Sequence, residues 1–324
     1  MQRPVLAVVV PCYNEEDVLP ETSKRLEALL ARLIDAERID LSSRIWFVDD
    51  GSRDRTWALI QQMSDRGESK VCGIKLSRNR GHQAALMAGL MTAEGDLLIS
   101  VDADLQDDLE AIPKMLDAYQ SGSDIVYGVR SARDSDTFFK RFTAEGYYAI
   151  LHRLGVEIVF NHADYRLMSR RAIESLREFR EANVFLRGLI PQLGYRSTQV
   201  EYARTERFAG ESKYPLGKML ALAWQGVTSF SAAPLRAITT MGLLVSLISL
   251  GMGFWALWVR LFSDQAIPGW ASIVIPLFLL SGVQLLSLGV IGEYVAKVFM
   301  ETKRRPMYLV EEVVQPGAEP PHRA

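Results

Sequence analysis

Two stretches near the C-terminus, Ala237 to Val259 and Gln265 to Gly292, contain no charged residue. As a helix the first, 23 residues, is roughly 35 Å long and exceeds the roughly 30 Å of bilayer hydrocarbon. The second has Pro268, Trp270 and Pro276 near its start and a continuous apolar body after them, and it too is long enough to span. Two such segments in tandem predict a transmembrane hairpin; the alternative is a helical hairpin buried in a soluble core. Lys213, Lys218 and Arg236 precede the pair and Lys297, Lys303, Arg304 and Arg305 follow it, while the loop between carries only Arg260 and Asp264. Basic residues favour the cytoplasmic side, so both ends are expected there, at a bacterial inner membrane. The segment YPLGKMLALAWQGVTSFSAAPLR (214–236) repeats apolar residues at helical spacing, with Trp224 and Phe230 among them, as an interfacial helix does. The expected layout is a cytoplasmic domain over 1–212, a juxtamembrane amphipathic helix over 213–235, a two-helix hairpin over 236–293 and a cytoplasmic tail over 294–324. The tail ends in QPGAEPPHRA, too polar and Pro-rich to order itself.

Upstream of about Lys218 the material is different. Short β-branched runs, VLAVVV (5–10), RIWFVDD (44–50), VCGIKL (71–76), DLLISVDAD (96–104) and DIVYGVR (124–130), alternate with amphipathic stretches. Continuously apolar strands alternating with helices predict an α/β domain, a mostly parallel sheet covered by helices. From about Ser135 to Arg196 the pattern is mainly helical, and STQVEYA (197–203) reads as a late edge strand. The net charge of -2 shows no basic excess for a nucleic-acid partner. The two cysteines, Cys12 and Cys72, sit in or beside apolar runs and read as buried strand residues of a reducing compartment rather than a disulfide framework. The apolar run at the N-terminus is too short for a signal-peptide core and belongs to the fold.

In open α/β sheets ligands bind beyond the carboxyl ends of the strands. The residues there are polar and acidic: Pro11, Tyr13, Asn14, Glu15 and Glu16 after the first strand, Asp49, Asp50, Gly51 and Ser52 after the second, Asp102, Asp104, Gln106 and Asp107 after the fourth. Acids also cap helices, so the first two clusters alone do not define a site. Asp102 and Asp104 differ, because alternation along an extended chain points residues i and i+2 to one face, where two carboxylates repel unless a cation joins them. Such oxygen ligands suit Mg²⁺ or Mn²⁺, which bind through one or two carboxylates plus substrate phosphates. A metal there would neutralise a leaving diphosphate.

PCYNEE, VDDGSRDRT, LSRNRGHQAALMAGL and DADLQDD, in this order and spacing, resemble the inverting family 2 glycosyltransferases with the A-type nucleotide-sugar fold. NHADYRL (161–167), RFAGESKYP (207–215), the two apolar segments and GEY (292–294) narrow the resemblance to the polyprenyl-phosphate glycosyltransferases, similar to dolichyl-phosphate mannose synthase and to bacterial undecaprenyl-phosphate glucosyltransferases. The resemblance implies a UDP-sugar donor, a polyprenyl phosphate acceptor in a lipid bilayer, and a divalent cation, Mg²⁺ or Mn²⁺. It implies that Pro11, Tyr13, Glu15 and Asp50 hold the base and ribose, and that Asp102 and Asp104, with Gln106, sit at the diphosphate and metal. Asp164 falls at the family position proposed for a catalytic base. An acceptor phosphate with its second pKa near 6 is already largely a dianion at neutral pH, so Asp164 orienting the acceptor, or an arginine such as Arg166, is the alternative expectation, and a helix cap is a further one. For the acceptor phosphate the chain offers Arg130, Lys140 and Arg141 after the fifth strand and Arg207, Ser212 and Lys213 before the membrane, Arg207 and Lys213 matching the family segment. His82 is expected to shape a loop, and Glu293 to pack or cap near the interface.

A dinucleotide-dependent dehydrogenase would carry a Gly-x-Gly-x-x-Gly turn after the first strand, and PCYNEE has no glycine. A processive polysaccharide synthase would carry a Gln-x-x-Arg-Trp motif and more membrane helices. A catalytically inactive membrane scaffold would be expected to have lost the metal pair, which is intact. Glucose is the expected sugar, with N-acetylhexosamine, mannose or an aminoarabinose derivative as alternatives; a homo-oligomer is left open.

Overall fold

The computed structural model describes residues 3–66, 69–130, 162–179, 181, 186–203, separate positions between 235 and 262, and 270–317. They fall into two compact units, one holding the sheet, its helices and the chain from Arg305 onward, the other the described residues from 235 to Arg304.

In the first unit strands and helices alternate: β1 (Leu6–Cys12), α1 (Leu19–Asp35), β2 (Arg44–Asp49), α2 (Thr56–Ser64), β3 (Val71–Leu76), α3 (His82–Thr92), β4 (Leu97–Ser100), α4 (Ala111–Gln120) and β5 (Ile125–Arg130). After 131–161 come β6 (His162–Ser169), α5 (Arg170–Arg177), α6 (Leu186–Gln192) and β7 (Ser197–Tyr202), and β8 (Val310–Val314) closes the unit. The sheet order is β7-β5-β6-β4-β1-β2-β3-β8. The central run β4-β1-β2-β3 is parallel, as the apolar strands predict, while β6 lies antiparallel between β4 and β5 and β8 antiparallel on β3.

Side-chain alternation along the buried strands splits the core into two layers. Leu6, Val8, Val10, Ile45 and Phe47 face one side, where the apolar stripes of α1 (Leu26, Leu29, Leu30, Leu33), α2 (Ile60, Met63) and α4 (Ile112, Met115, Leu116) cover them. On the other side α3 lies so close that a Cβ on Gly89 would come within 2.3 Å of Val9 and 2.8 Å of Val48. Cys12 and Cys72 are free and buried, as expected of strand cysteines.

Three elements depart from the sequence reading. The fourth strand stops at Ser100 rather than Asp104, and the chain turns at Ala103 and Asp104. Residues 162–169, part of the stretch expected to be mainly helical, form β6 inside the sheet. Its alternation hides behind two charges on one face, Asp164 and Arg166, which neutralise each other, while Tyr165 and Leu167 enter the core on the other. The tail after Met307 supplies β8, tied by Gln61 Nε2 to Glu312 (3.1 Å) and by Lys75 Nζ to Glu311 (3.0 Å). STQVEYA, by contrast, is the edge strand expected, β7, with a half-exposed pattern.

In the second unit α7 (Trp270–Thr302) runs past the expected boundary at 293, and within it Val283–Thr302 is long and apolar enough to cross a membrane. Its Leu285, Leu288, Val295 and Val298 side chains are exposed. The juxtamembrane helix, but for Leu235, lies outside the described residues, and so does about half of the expected first span.

Gly51 shows how tightly the loops beyond the strands are packed. Its φ of +67° is left-handed, and a Cβ would sit 2.6 Å from the Asn79 amide nitrogen and 2.7 Å from the Arg78 carbonyl carbon. Backbone cannot yield as a flexible side chain would. Gly51→Ala is expected to destabilise the protein by about 2 kcal/mol or more, read as a lower unfolding midpoint in detergent micelles; an unchanged midpoint would show that the two loops do not depend on this contact.

Candidate active site

The loops after β1 and β2 are fastened to each other. The Asn14 N–H donates to Ser52 Oγ (2.9 Å), the Arg53 N–H to Asn14 Oδ1 (2.9 Å), the Glu15 N–H to Thr56 Oγ1 (2.9 Å) and the Arg55 N–H to Glu16 (3.1 Å). Asn14 reaches this arrangement with φ of +54°, a conformation Asn tolerates better than most residues. Of the predicted nucleotide residues, Pro11 is buried within β1, one step further inside the sheet than expected, while Tyr13 is exposed and Glu15 half-buried. Asp50 is buried, and its carboxylate accepts from the Arg80 N–H (2.7 Å) and the Gly81 N–H (2.8 Å), so it fixes the loop that leads into α3. Burial raises its pKa against those two bonds.

Past β4, Asp102 is half-buried, and burial with the charges of Asp107, Asp164 and Asp104 raises its pKa to about 6. Asp104 lies in the turn, where Oδ1 accepts from the Gln106 N–H (3.2 Å) and Leu105 takes φ of +56°. The i, i+2 geometry expected of an extended strand therefore does not apply to this pair; the turn, and the repulsion Asp104 exerts on Asp102, keep them electrostatically coupled instead. Asp107 is buried: the Tyr202 hydroxyl donates to it (2.5 Å) and Arg130 Nη2 lies 3.8 Å away, with Arg130 Nε donating to Tyr202 (3.3 Å). Arg130 thus stands at this acidic loop. Arg141, Arg207, Ser212 and Lys213, with Lys140, lie outside the described residues.

Asp164 is the junction of the site. It is buried on β6, with Arg166 Nη2 against Oδ1, Arg187 of α6 at 3.3 Å and 3.4 Å, and Gln83 Nε2 donating at 3.2 Å. His82 Nε2 stands 3.6 Å from Asp164 Oδ2 and 3.6 Å from Asp102 Oδ1, joining the β6 cluster to the acids after β4. Burial alone would raise the Asp164 pKa, but His82, Arg166 and Arg187 outweigh it and hold the carboxyl well below the usual range. Burial likewise lowers the His82 pKa, and the two carboxylates reverse that, leaving it raised. Arg166 stays charged despite its burial, because a guanidinium starts so high. Sequence reasoning left Arg187 and Gln83 unassigned and gave His82 a lesser part; Arg187 and Gln83 belong to ordinary helical runs, and only the missed strand β6 brings them together.

Residues 7–177 match the family described as glycosyl transferase family 2. The chain belongs to that family. It is an enzyme of the glycosyltransferase class, with the A-type α/β fold. The glycosyltransferase is 49% identical to the glycosyltransferase YkoT of Bacillus subtilis over 95% of this chain and 92% of that one. It is 37% identical to the bactoprenol glucosyl transferase of Shigella phage SfX, over 94% of this chain and 98% of the phage protein. Among solved structures, mannosyl-3-phosphoglycerate synthase from Rubrobacter xylanophilus is a distant likeness, with TM-score 0.48 and 16% identity over 82% of this chain and 78% of that one.

The Asp164 cluster yields a stability test. A carboxyl held below its unfolded pKa contributes stability that is present above the ordinary aspartate range and lost as pH falls through the folded value. Asp164→Asn leaves Arg166 buried without its counter-charge, so a loss of about 3–5 kcal/mol is expected in denaturant unfolding at neutral pH. The difference from wild type should shrink in acid, and a variant of wild-type stability would show that the carboxylate does not hold the arginine.

Proposed function

We propose that this glycosyltransferase moves a hexose, glucose from UDP-glucose in the first instance, onto the phosphate of a polyprenyl lipid, with inversion at the anomeric carbon. The observation that carries the proposal is the division of one site into two charges. Acids line the ends of β1, β2 and β4, and a cationic cluster on β6 and α6 meets them at His82. The likeness to bactoprenol glucosyl transferase along nearly the whole chain supports the lipid acceptor and the sugar. N-acetylhexosamine, mannose or an aminoarabinose derivative would use the same machinery.

In this reading Pro11, Tyr13, Glu15 and Asp50 hold the base and ribose. Asp102 and Asp104, with Gln106, would hold Mg²⁺ or Mn²⁺. The donor set fits such an ion: its side-chain donors are oxygens, and Asp102 sits among acids that raise its pKa. The coordination left over suits the diphosphate of a donor. When bound, such an ion neutralises charge building on the leaving diphosphate. Asp164 holds its cations in place rather than taking a proton: four partners surround it, and a phosphate acceptor arrives largely deprotonated. Arg130, Arg141, Arg207, Ser212 and Lys213 are the proposed acceptor-phosphate residues.

The fold also supports a membrane hairpin. β7 and β8 flank the apolar segments in sequence and belong to one sheet, so a chain that enters a bilayer between them must cross it an even number of times. If α7 crosses once, a second crossing falls between Tyr202 and Trp270, where the uncharged run 237–259 supplies it.

Membranes containing the protein, given radiolabelled UDP-sugars and undecaprenyl phosphate, should convert label from UDP-glucose into lipid-soluble product; label from a different sugar alone would change the donor. Asp104→Asn is expected to reduce turnover by about a hundredfold or more while the protein still folds and inserts, and EDTA should abolish product. Full activity in EDTA would remove the metal from the mechanism. An α-linked donor should give a β-linked lipid phosphate sugar by NMR, since a single displacement inverts the anomeric carbon.

A further inference from the structure

Asp164 is one carboxylate shared by two guanidiniums. Among the described residues, the ion pairs of Arg166 and of Arg187 both go to it. Arg166 is closed inside the protein, and its Nε and Nη1 have no hydrogen-bond partner among the described residues. Arg187 differs, with 37% of its side chain open, beside His82 with 44%. Of the two guanidiniums on that carboxylate, Arg187 is the accessible one. Its place is also fixed. Gln83 donates from Nε2 to Asp164 and accepts the Leu186 N–H at Oε1 (3.3 Å), so the first turn of α3 pins the backbone just before Arg187.

We propose that Arg187 is a phosphate-binding residue, its guanidinium held by Asp164 and its open side taking the oxygens of a phosphoryl group beside His82. Arginine suits this role because its planar fork can pair with phosphate oxygens while keeping its contact to a carboxylate. Asp164 is then the positioning residue, which holds Arg187 without itself touching the phosphate. The chemistry is common to a donor diphosphate and a lipid-borne phosphate; that choice, though not the anion site itself, rests on the glycosyl-transfer reading.

The test uses the full chain in detergent micelles with divalent metal chelated, and inorganic phosphate as the probe against chloride of equal ionic strength. Phosphate should raise the melting temperature of wild type, the gain should vanish in Arg187→Ala, and Arg187→Lys should keep part of it. No gain in wild type, or an undiminished gain in Arg187→Ala, would overturn the proposal. This readout needs no turnover, so a wild type that makes no lipid-linked sugar would sink the proposed function and leave the phosphate site judged on its own. With turnover, Arg187→Ala should lower kcat/KM by about tenfold to a hundredfold, the usual worth of a charge-assisted hydrogen bond, with partial recovery in Arg187→Lys. A fall in UDP affinity by calorimetry would assign the donor diphosphate; unchanged UDP affinity with a raised KM for polyprenyl phosphate would assign the acceptor. Should Arg187→Ala fail to fold, Arg187→Lys and Arg187→Gln carry the same comparison, and wild-type phosphate response and kinetics in both would overturn the assignment.

Discussion

The Asp164 carboxylate and the Arg166 guanidinium are both buried, and neither could be there alone, since an unpaired ion in a protein interior costs several kcal/mol. The pair permits β6, a strand with two charges on one face, to lie between the apolar strand β4 and β5 inside the sheet. That insertion is what brings the two sides of the site together. With β6 in place, Asp164 stands next to the end of β4, where Ser100 Oγ donates to its backbone carbonyl (2.5 Å), and His82 reaches both Asp164 and Asp102. Tyr165, on the opposite face, carries the connection onward by donating to the Asp108 carbonyl (3.0 Å) and meeting the Tyr202 ring edge-on at 5.2 Å.

What the sequence disclosed and what it concealed follow from the same physics. The parallel strands were legible because burial on both faces demands unbroken apolar runs; Val71–Leu76 matches its predicted span residue for residue. The acidic loops were legible because ligands gather at the carboxyl ends of such strands. β6 was not, because a strand that buries an ion pair looks polar until the partner of each charge is known. The DYR triplet was its signal: opposite charges two residues apart share a face of a strand and cancel. β8 escaped for another reason. VEEVV presents acids to Lys75 and Gln61 at a sheet edge, and no pattern within five residues says which strand it will join.

The distribution of charge also limits what each group can do. An aspartate already engaged by two arginines, a glutamine and a histidine is a poor proton acceptor, since protonation would have to displace interactions that hold it ionised. Asp102 is the opposite case: crowded by other acids and half-buried, it gains from any cation that arrives. Two carboxylates at one site are thus driven apart in character by their surroundings, one saturated with positive charge and one in need of it.

The C-terminal strand bears on the Asp50 side of the site in the same manner. β8 is the last element of the sheet in sequence, yet the carbonyl of Leu309, just before it, accepts the N–H of Ser77, the residue at which β3 gives way to the loop 77–81. That loop supplies both amides that Asp50 holds, presses its backbone against Gly51, and delivers His82 to the two carboxylates. Edge strands are the cheapest part of a sheet to detach, having a partner on one side only. β8 has more than its ladder: Gly73 admits the Val314 side chain at a distance no Cβ would allow, 2.8 Å from where one would stand, and two side-chain bonds flank it. The chain that follows α7 is therefore fastened to the strand whose exit loop shapes the Asp50 side of the site, so β8 and that loop share one edge of one sheet.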